Sequence, residues 1–302
     1  MFRRCREAGI NFFDCANVYQ KGVAEEILGE LIADCRDEVV ITSKFYFPMS
    51  DDPNARGGSR KHIQHAVENS LRRLNTDYID LYFIHHFDPH TPLEVTLRAL
   101  DDLVSQGKIL HPAVSNFAAW QIAQSLGISA HHDWAPFACV QPMYNLVKRQ
   151  AEVEIFPLAQ AENLGVIPYS PLGGGLLTGK YGPEKKPEQG RLVENEMYKL
   201  RYGEDWVYRV AVEFTEFARQ AGFNPVSLAV AWAGSHPAVT APIIGARNPE
   251  QLEDSLGAVE IELTSSLRNQ ISALSPTPPP ATDRAEEQTQ YSYDAQLLKK
   301  EK

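Results

Sequence analysis

The sequence predicts an α/β fold built on a parallel sheet, and three observations carry that prediction. Short apolar runs recur along the chain, amphipathic stretches of helical period separate them, and several runs end on polar side chains that a core would not hold. The runs are Ile10–Phe13, Val39–Ser43, Ile79–Ile84, Ile109–Val114, Ala138–Gln141, Val166–Pro168 and Thr240–Ile244. Their brevity and continuous apolar character suit parallel strands covered on both faces. Between them lie Ala24–Ile32, His62–Leu74, Leu93–Gln106, Val153–Asn163 and Val226–Ser235, which read as helices. This strand–helix rhythm implies a parallel sheet, open or closed.

Local signals refine the elements. Thr91-Pro92-Leu93-Glu94 reads as a capping box, with a hydroxyl, a first-turn proline and a carboxylate three residues after the cap. Ser59 is placed to cap the helix that begins near His62. Phe2–Ala8 reads as the last two turns of a helix closed by Gly9. A helix that short is not stable alone, so a strand and most of a helix are expected upstream, with about seven parallel strands remaining here. Residues 1–274 are read as one domain. Within them Gly173 to about Asp205 forms a long polar connection, and loops of that length in a compact domain usually serve function. From Ser275 the chain becomes Pro-rich and then polar, so 275–302 is read as a tail.

Composition excludes several classes. The 302 residues carry a formal net charge of −10 and no basic stripe, which disfavours a nucleic-acid partner. The Arg-containing N-terminus is not followed by an apolar stretch, so it does not read as a secretory signal. No apolar run is long enough for a membrane span. Cys5, Cys15, Cys35 and Cys139 lack CxxC spacing, which predicts reduced thiols and a cytoplasmic location. The oligomeric state is left open.

The polar strand ends carry the chemistry. INFFDCANVY ends a strand with Asp14 and follows it with Tyr19, VVITSK ends with Lys44, and YIDLYFIHH ends with His85 and His86. In a parallel barrel the C-terminal strand ends converge on one mouth, so these groups can meet there. Taken singly, Asp14 could cap a turn, Lys44 could be solvated, and Tyr19 could be a packed loop aromatic. Their combination favours a functional site. Successive strand residues face opposite ways, so only one of His85 and His86 can face the mouth.

The motifs G-I-N-F-F-D-x-A-x-x-Y, T-S-K and D-Y-I-D-L-Y-x-I-H resemble those of the aldo-keto reductases. The likeness continues through V-S-N-F, V-Q-P-M-Y-N-L, Y-S-P-L-G-G-G-L-L-T-G-K-Y and P-I-I-G-A-R, spanning about Phe2 to Leu263. It implies a (β/α)₈ barrel lacking its first unit, and an NADPH-dependent reduction of an aldehyde or ketone. Carried over by position, the catalytic tetrad is Asp14, Tyr19, Lys44 and His85. Free tyrosine, with a pKa of about 10, is a weak acid at neutral pH, and Lys44 beside it is expected to lower that value. Tyr19 then serves as the general acid, Asp14 keeps Lys44 charged, and neutral His85 orients the carbonyl.

The same resemblance implies the cofactor residues. No G-x-G-x-x-G follows a strand, so a Rossmann domain is disfavoured. Ser115, Asn116 and Gln141 would grip the nicotinamide carboxamide, and Tyr169 would stack on its ring. The segment Ser170, Pro171, Leu172, Gly173 and Gly174 would line the pyrophosphate with its backbone N–H groups, which all but Pro171 possess. Gly174 to Lys180 nearly matches a P-loop, but Tyr181 stands where that motif needs Ser or Thr. Gly245, Ala246, Arg247, Gln251, Asp254 and Ser255 would hold the adenosine end. Arg247, with help from Lys180, could pair with a 2′-phosphate. Ser255 departs from the asparagine expected there, so NADH is kept beside NADPH.

Two other readings stand beside this one. A cofactor-binding regulatory or inactive homologue fits the same scaffold, and the intact tetrad weighs against it. A metal-dependent hydrolase would draw on His85, His86, Asp88, His90, His111, His131 and His132. No H-x-H strand end or H-E-x-x-H helix is present, so no metal is expected. The mouth aromatics Tyr19, Phe45, Tyr46 and Phe87 suggest an apolar or aromatic carbonyl substrate.

Overall fold

Alternating apolar runs and amphipathic stretches produce alternating strands and helices in the computed structural model, which describes residues 1–185, 187–282 and 284. The chain forms two compact units. The first comprises Met1–Pro142, Ala159–Pro168 and Gly245–Glu253. It runs α1 (Phe2–Glu7), β1 (Phe12–Phe13), α2 (Val23–Ile32), β2 (Val40–Phe45), α3 (Arg60–Leu74), β3 (Ile79–Ile84), α4 (Leu93–Ser105), β4 (Ile109–Ser115), α5 (Ala119–His132) and β5 (Cys139–Gln141). Helix α6 (Ile155–Ala161) then leads to β6 (Gly165–Val166). The strands pair in sequence order and all in parallel, with Phe12 opposite Val40, Thr42 opposite Leu81, Ile79 opposite Ile109 and Val140 opposite Val166. Six parallel strands in order, each of the first five followed by a helix, fit part of a (β/α) barrel.

Burial explains the pattern. Ile41, Phe83, Ala113 and Val114 on central strands are fully buried, and α3 turns Ile63, Val67, Leu71 and Leu74 inward at helical spacing. Each such Ile, Leu, Val or Phe side chain contributes about 1.5–3 kcal/mol relative to exposure. A Cβ on Gly29 of α2 would lie 2.6 Å from the Leu74 carbonyl oxygen, so only glycine permits this close approach. Ser59 caps α3 as expected, its Oγ accepting from His62 N at 3.3 Å.

The structure corrects two expectations here. Thr91 is no helix cap: its hydroxyl donates to Asp88 Oδ2 at 2.7 Å, and α4 starts after Pro92 with no side-chain cap. The Asp88 carboxylate, a stronger acceptor than the hydroxyl is a cap, also takes Gly58 N and His90 N. The seventh expected strand, Thr240–Ile244, carries no ladder. Pro242 lies within it and has no N–H to donate. Among the described residues the sheet therefore has six strands.

The second unit comprises Met143–Leu158, Tyr169–Ile244 and the residues from Asp254 on. Its long connection after Gly173 is not bare loop but holds a 3₁₀ turn, Gly173–Thr178, then α7 (Arg191–Glu194) and α8 (Glu196–Arg201). Helices α9 (Asp205–Gln220) and α10 (Pro225–Gly234) follow, the latter capped by Asn224, whose Oδ1 accepts from Val226 N at 2.8 Å. The residues of helix α11 (Pro249–Leu256) belong to the first unit up to Glu253 and to the second from Asp254, and the second also holds α12 (Ser265–Ser272). There Arg268 donates to Trp232 O at 2.7 Å and to the Tyr144 hydroxyl at 3.0 Å, while Tyr144 stacks on Trp232. Most of the expected tail at 275–302 lies outside the described residues.

Candidate active site

Strand alternation places the tetrad. Thr42 and Lys44, two apart on β2, face one side, and Ser43 between them faces the other. All three are fully buried. Lys44 Nζ lies 2.6 Å from Asp14 Oδ2, 2.8 Å from the Cys15 carbonyl oxygen and 3.4 Å from the Tyr19 hydroxyl. Asp14 Oδ1 accepts from Thr42 Oγ1 at 2.9 Å and from Gln141 Nε2 at 2.8 Å. Ser43, pointing the opposite way, donates to Glu25 of α2. The His85 ring sits edge-to-face with Tyr19, centroids 5.9 Å apart. The structure thus brings Asp14, Tyr19, Lys44 and His85 together.

Electrostatics follow from burial and the central ammonium. Burial alone would lower Lys44, but Asp14 and Tyr19 outweigh it and hold the ammonium above its ordinary value. Tyr19 moves upward: desolvation of its hydroxyl end exceeds the downward pull of Lys44. This corrects the expected direction. The residue as a whole is 39% exposed, yet its hydroxyl lies among buried groups. A raised pKa keeps the phenol protonated at neutral pH, as a proton donor requires.

Burial first, then Lys44, bring His85 down to about 3, so its ring is neutral. Its Nδ1 is buried without a partner among the described residues. An unfolded histidine, at about 6.5, takes up its proton first as pH falls, so stability drops between about pH 6.5 and the folded value. The urea midpoint is therefore expected to be lower at about pH 5 than at about pH 7.5. A flat or rising midpoint would mean that His85 protonates freely in the fold.

Ser115, Asn116 and Gln141 adjoin this cluster. Ser115 Oγ donates to Gln141 O at 2.9 Å, and Asn116, at φ 58°, donates from Nδ2 to His85 O at 2.9 Å. In the same unit Gln251 Oε1 accepts from Arg247 N at 3.1 Å, while the Arg247 side chain is exposed beside Gly245 and Ala246.

The second unit holds the other expected cofactor residues. Ser170, Gly173, Gly174 and Gly175 all have positive φ, and Asn145 Nδ2 donates to Ser170 O at 2.9 Å. A Cβ on Gly174 would lie 2.8 Å from the Tyr198 ring, and one on Gly175 would lie 3.2 Å from Lys180 Nζ. Tyr169 bridges to Met143 in parallel pairing, and Pro171 and Leu172 lead into the 3₁₀ turn. Asp254 is already engaged, its Oδ1 by Asn224 Nδ2 at 2.8 Å and its carbonyl by Ser227 Oγ at 2.6 Å. Ser255 is buried.

Other residues differ from expectation. Phe45 is not a mouth aromatic: it is fully buried, stacked on Tyr82 and tilted against His62, because it points opposite to Lys44. Phe47 takes that place, edge-on to His85 at 4.9 Å. His86 packs against Tyr46 instead, at 5.3 Å. Phe87 lies 6.0 Å from exposed Trp120. Sequence reasoning missed Phe47 and Thr42, although Thr42 was findable two positions before Lys44 on the same strand. Among the described residues no group of three or more His, Cys, Asp or Glu could hold a metal, and no helix is long and apolar enough to cross a membrane.

A buried lysine paired with a part-buried aspartate and touching a tyrosine beside a neutral histidine, at parallel strand ends, defines an oxidoreductase-type site on a (β/α) scaffold. Comparison with known proteins makes the assignment particular: the model of the aldo/keto reductase family matches residues 1–276, and the chain belongs to that family. It is 35% identical to the uncharacterized oxidoreductase YrpG of Bacillus subtilis, over 92% of this chain and 86% of that protein. It is 34% identical to a probable voltage-gated potassium channel subunit beta of Oryza sativa, over 94% and 88%. A provisionally named aryl-alcohol dehydrogenase of Schizosaccharomyces pombe is 33% identical, over 85% and 79%.

Proposed function

We propose that this chain is an NADP(H)-dependent reductase that converts an aldehyde or ketone to an alcohol, with Tyr19 as general acid. The observation carrying this reading is the 3.4 Å approach of Lys44 Nζ to the Tyr19 hydroxyl, with Asp14 2.6 Å behind the ammonium. NADPH, when bound, supplies the hydride to the carbonyl carbon. Tyr19 gives its proton to the carbonyl oxygen, and Lys44 stabilises the phenolate left behind. Neutral His85 offers a hydrogen bond to the same oxygen without repelling Lys44.

The residues fit the cofactor. The orphaned His85 Nδ1 and the polar groups of Ser115, Asn116 and Gln141 support a nicotinamide end in the first unit. In the second, the positive-φ residues Ser170, Gly173 and Gly174 support pyrophosphate binding, with Lys180 close to the adjoining Gly175. Tyr169, Gln251, Asp254 and Ser255 keep the stacking and adenosine roles that the family implies. Phe47, Tyr46 and Phe87 support an apolar or aromatic carbonyl substrate, and the name of the Schizosaccharomyces pombe relative agrees. Four free cysteines support a reducing, cytoplasmic setting.

An oxidation assay with NADPH over a panel of aldehydes and ketones tests the proposal; no turnover with any of them would overturn it. Arg247→Ala is expected to weaken NADPH about tenfold and leave NADH unchanged, read by fluorescence titration. Equal affinities for the two coenzymes in the unsubstituted chain would remove the phosphate role. The likeness to proteins named as potassium channel beta subunits favours a second reading, a regulatory or inactive homologue. Robust turnover excludes it.

A further inference from the structure

A cavity of about 340 Å³ in the first unit lies beside the Tyr19 loop and includes none of the tetrad. Asn17, Lys61, His62, His65, Asn69 and Arg73 line it. His62, His65, Asn69 and Arg73 share one face of α3, spaced at three and four residues. Asn17 comes from the loop between Asp14 and Tyr19, and its backbone N–H donates to Lys44 O at 3.3 Å.

Two polar atoms of this wall are buried without a partner among the described residues, Asn17 Oδ1 and His62 Nε2, on side chains 1% and 3% exposed. Such groups are costly to bury unless something supplies the missing hydrogen bond. Donors dominate the remaining wall: the Lys61 ammonium, the amides of Asn17 and Asn69, and the His65 imidazole. Arg73 spends Nε and Nη2 on Glu25, leaving Nη1. The one carboxylate of the wall, Asp52, is engaged through Oδ1 with Asn54 N at 2.8 Å and Asn54 Nδ2 at 3.0 Å. The volume falls at the small end of ligand cavities, about 300–1,000 Å³, and suits a small molecule rather than a dinucleotide.

We propose that this cavity is a second site, which binds a small anionic molecule bearing a carboxylate or phosphate. Its anionic group sits on Lys61 and His65, and a hydroxyl beside that group donates to Asn17 Oδ1 and meets His62 Nε2. Because Asn17 is tied to the Lys44 backbone and shares a loop with Tyr19, occupancy acts on the loop that presents the tyrosine.

The test is calorimetric titration of the full chain with hydroxymalonate and with inorganic phosphate, each of which carries a hydroxyl donor, with and without saturating NADPH. At least one probe is expected to bind in both conditions, and the one that does identifies the anionic group. Lys61→Met and His65→Leu, both at exposed positions of α3, are each expected to weaken that binding about tenfold. Tyr19→Phe is expected to change it less than about twofold. No binding of either probe, binding undiminished from the unsubstituted chain in both α3 variants, or loss of binding with NADPH present would overturn the proposal. Because the readout is binding, it stands or falls separately from the reductase reading.

Discussion

Replacing Tyr19 with phenylalanine is expected to lower kcat by about 10²- to 10⁴-fold, the usual contribution of a positioned general acid. The change removes one oxygen from a ring that is 39% exposed and in edge contact with His85, so the fold and coenzyme affinity should hold. Lys44 keeps its two stronger contacts, to Asp14 at 2.6 Å and the Cys15 carbonyl at 2.8 Å, and remains charged. Steady-state kinetics and NADPH titration on the same preparation separate the effects. Unchanged kcat would remove Tyr19 from the chemistry. A parallel fall in coenzyme affinity would mean that the substitution disturbed binding instead.

Removing Arg73 has the largest expected effect on stability. Glu25 is fully buried, accepts from Ser43 Oγ, and meets Arg73 Nε and Nη2 at 2.6 Å. Arg73→Met leaves that carboxylate buried without its cation, a loss that costs about 3–5 kcal/mol in buried pairs. The Arg73 side chain is 21% exposed, so water screens part of the pair and the lower end applies, about 3 kcal/mol. Urea denaturation should show a lower midpoint with an unchanged slope. Combining it with Glu25→Gln should restore part of the loss, since the uncompensated charge is gone. An unaltered midpoint for Arg73→Met alone would show that water, not arginine, satisfies Glu25.

Glu25 also illustrates what pattern reading passes over. It sits in the first turn of α2, where an acidic residue has an ordinary reason to be. Nothing in VAEEILGELI separates it from exposed Glu26, and only the packing of α3 against α2 buries one and not the other. Thr91 shows the converse. Its capping signal was sound, and Asp88, only three residues earlier, takes the hydroxyl instead.

The sequence by itself determined the strand–helix order, the parallel sheet and the four residues at the strand ends, because each depends on short-range periodicity and on motifs contiguous in the chain. Asp14, Lys44 and His85 were legible for the same reason: each directly follows or ends an apolar run that can only be a strand. Only the tertiary structure decided the direction of the Tyr19 shift, the packing of Phe45 on Tyr82 and the place of Phe47 against His85. Each depends on what lies across space from a side chain: desolvation and ring contacts are set by neighbours far away in sequence.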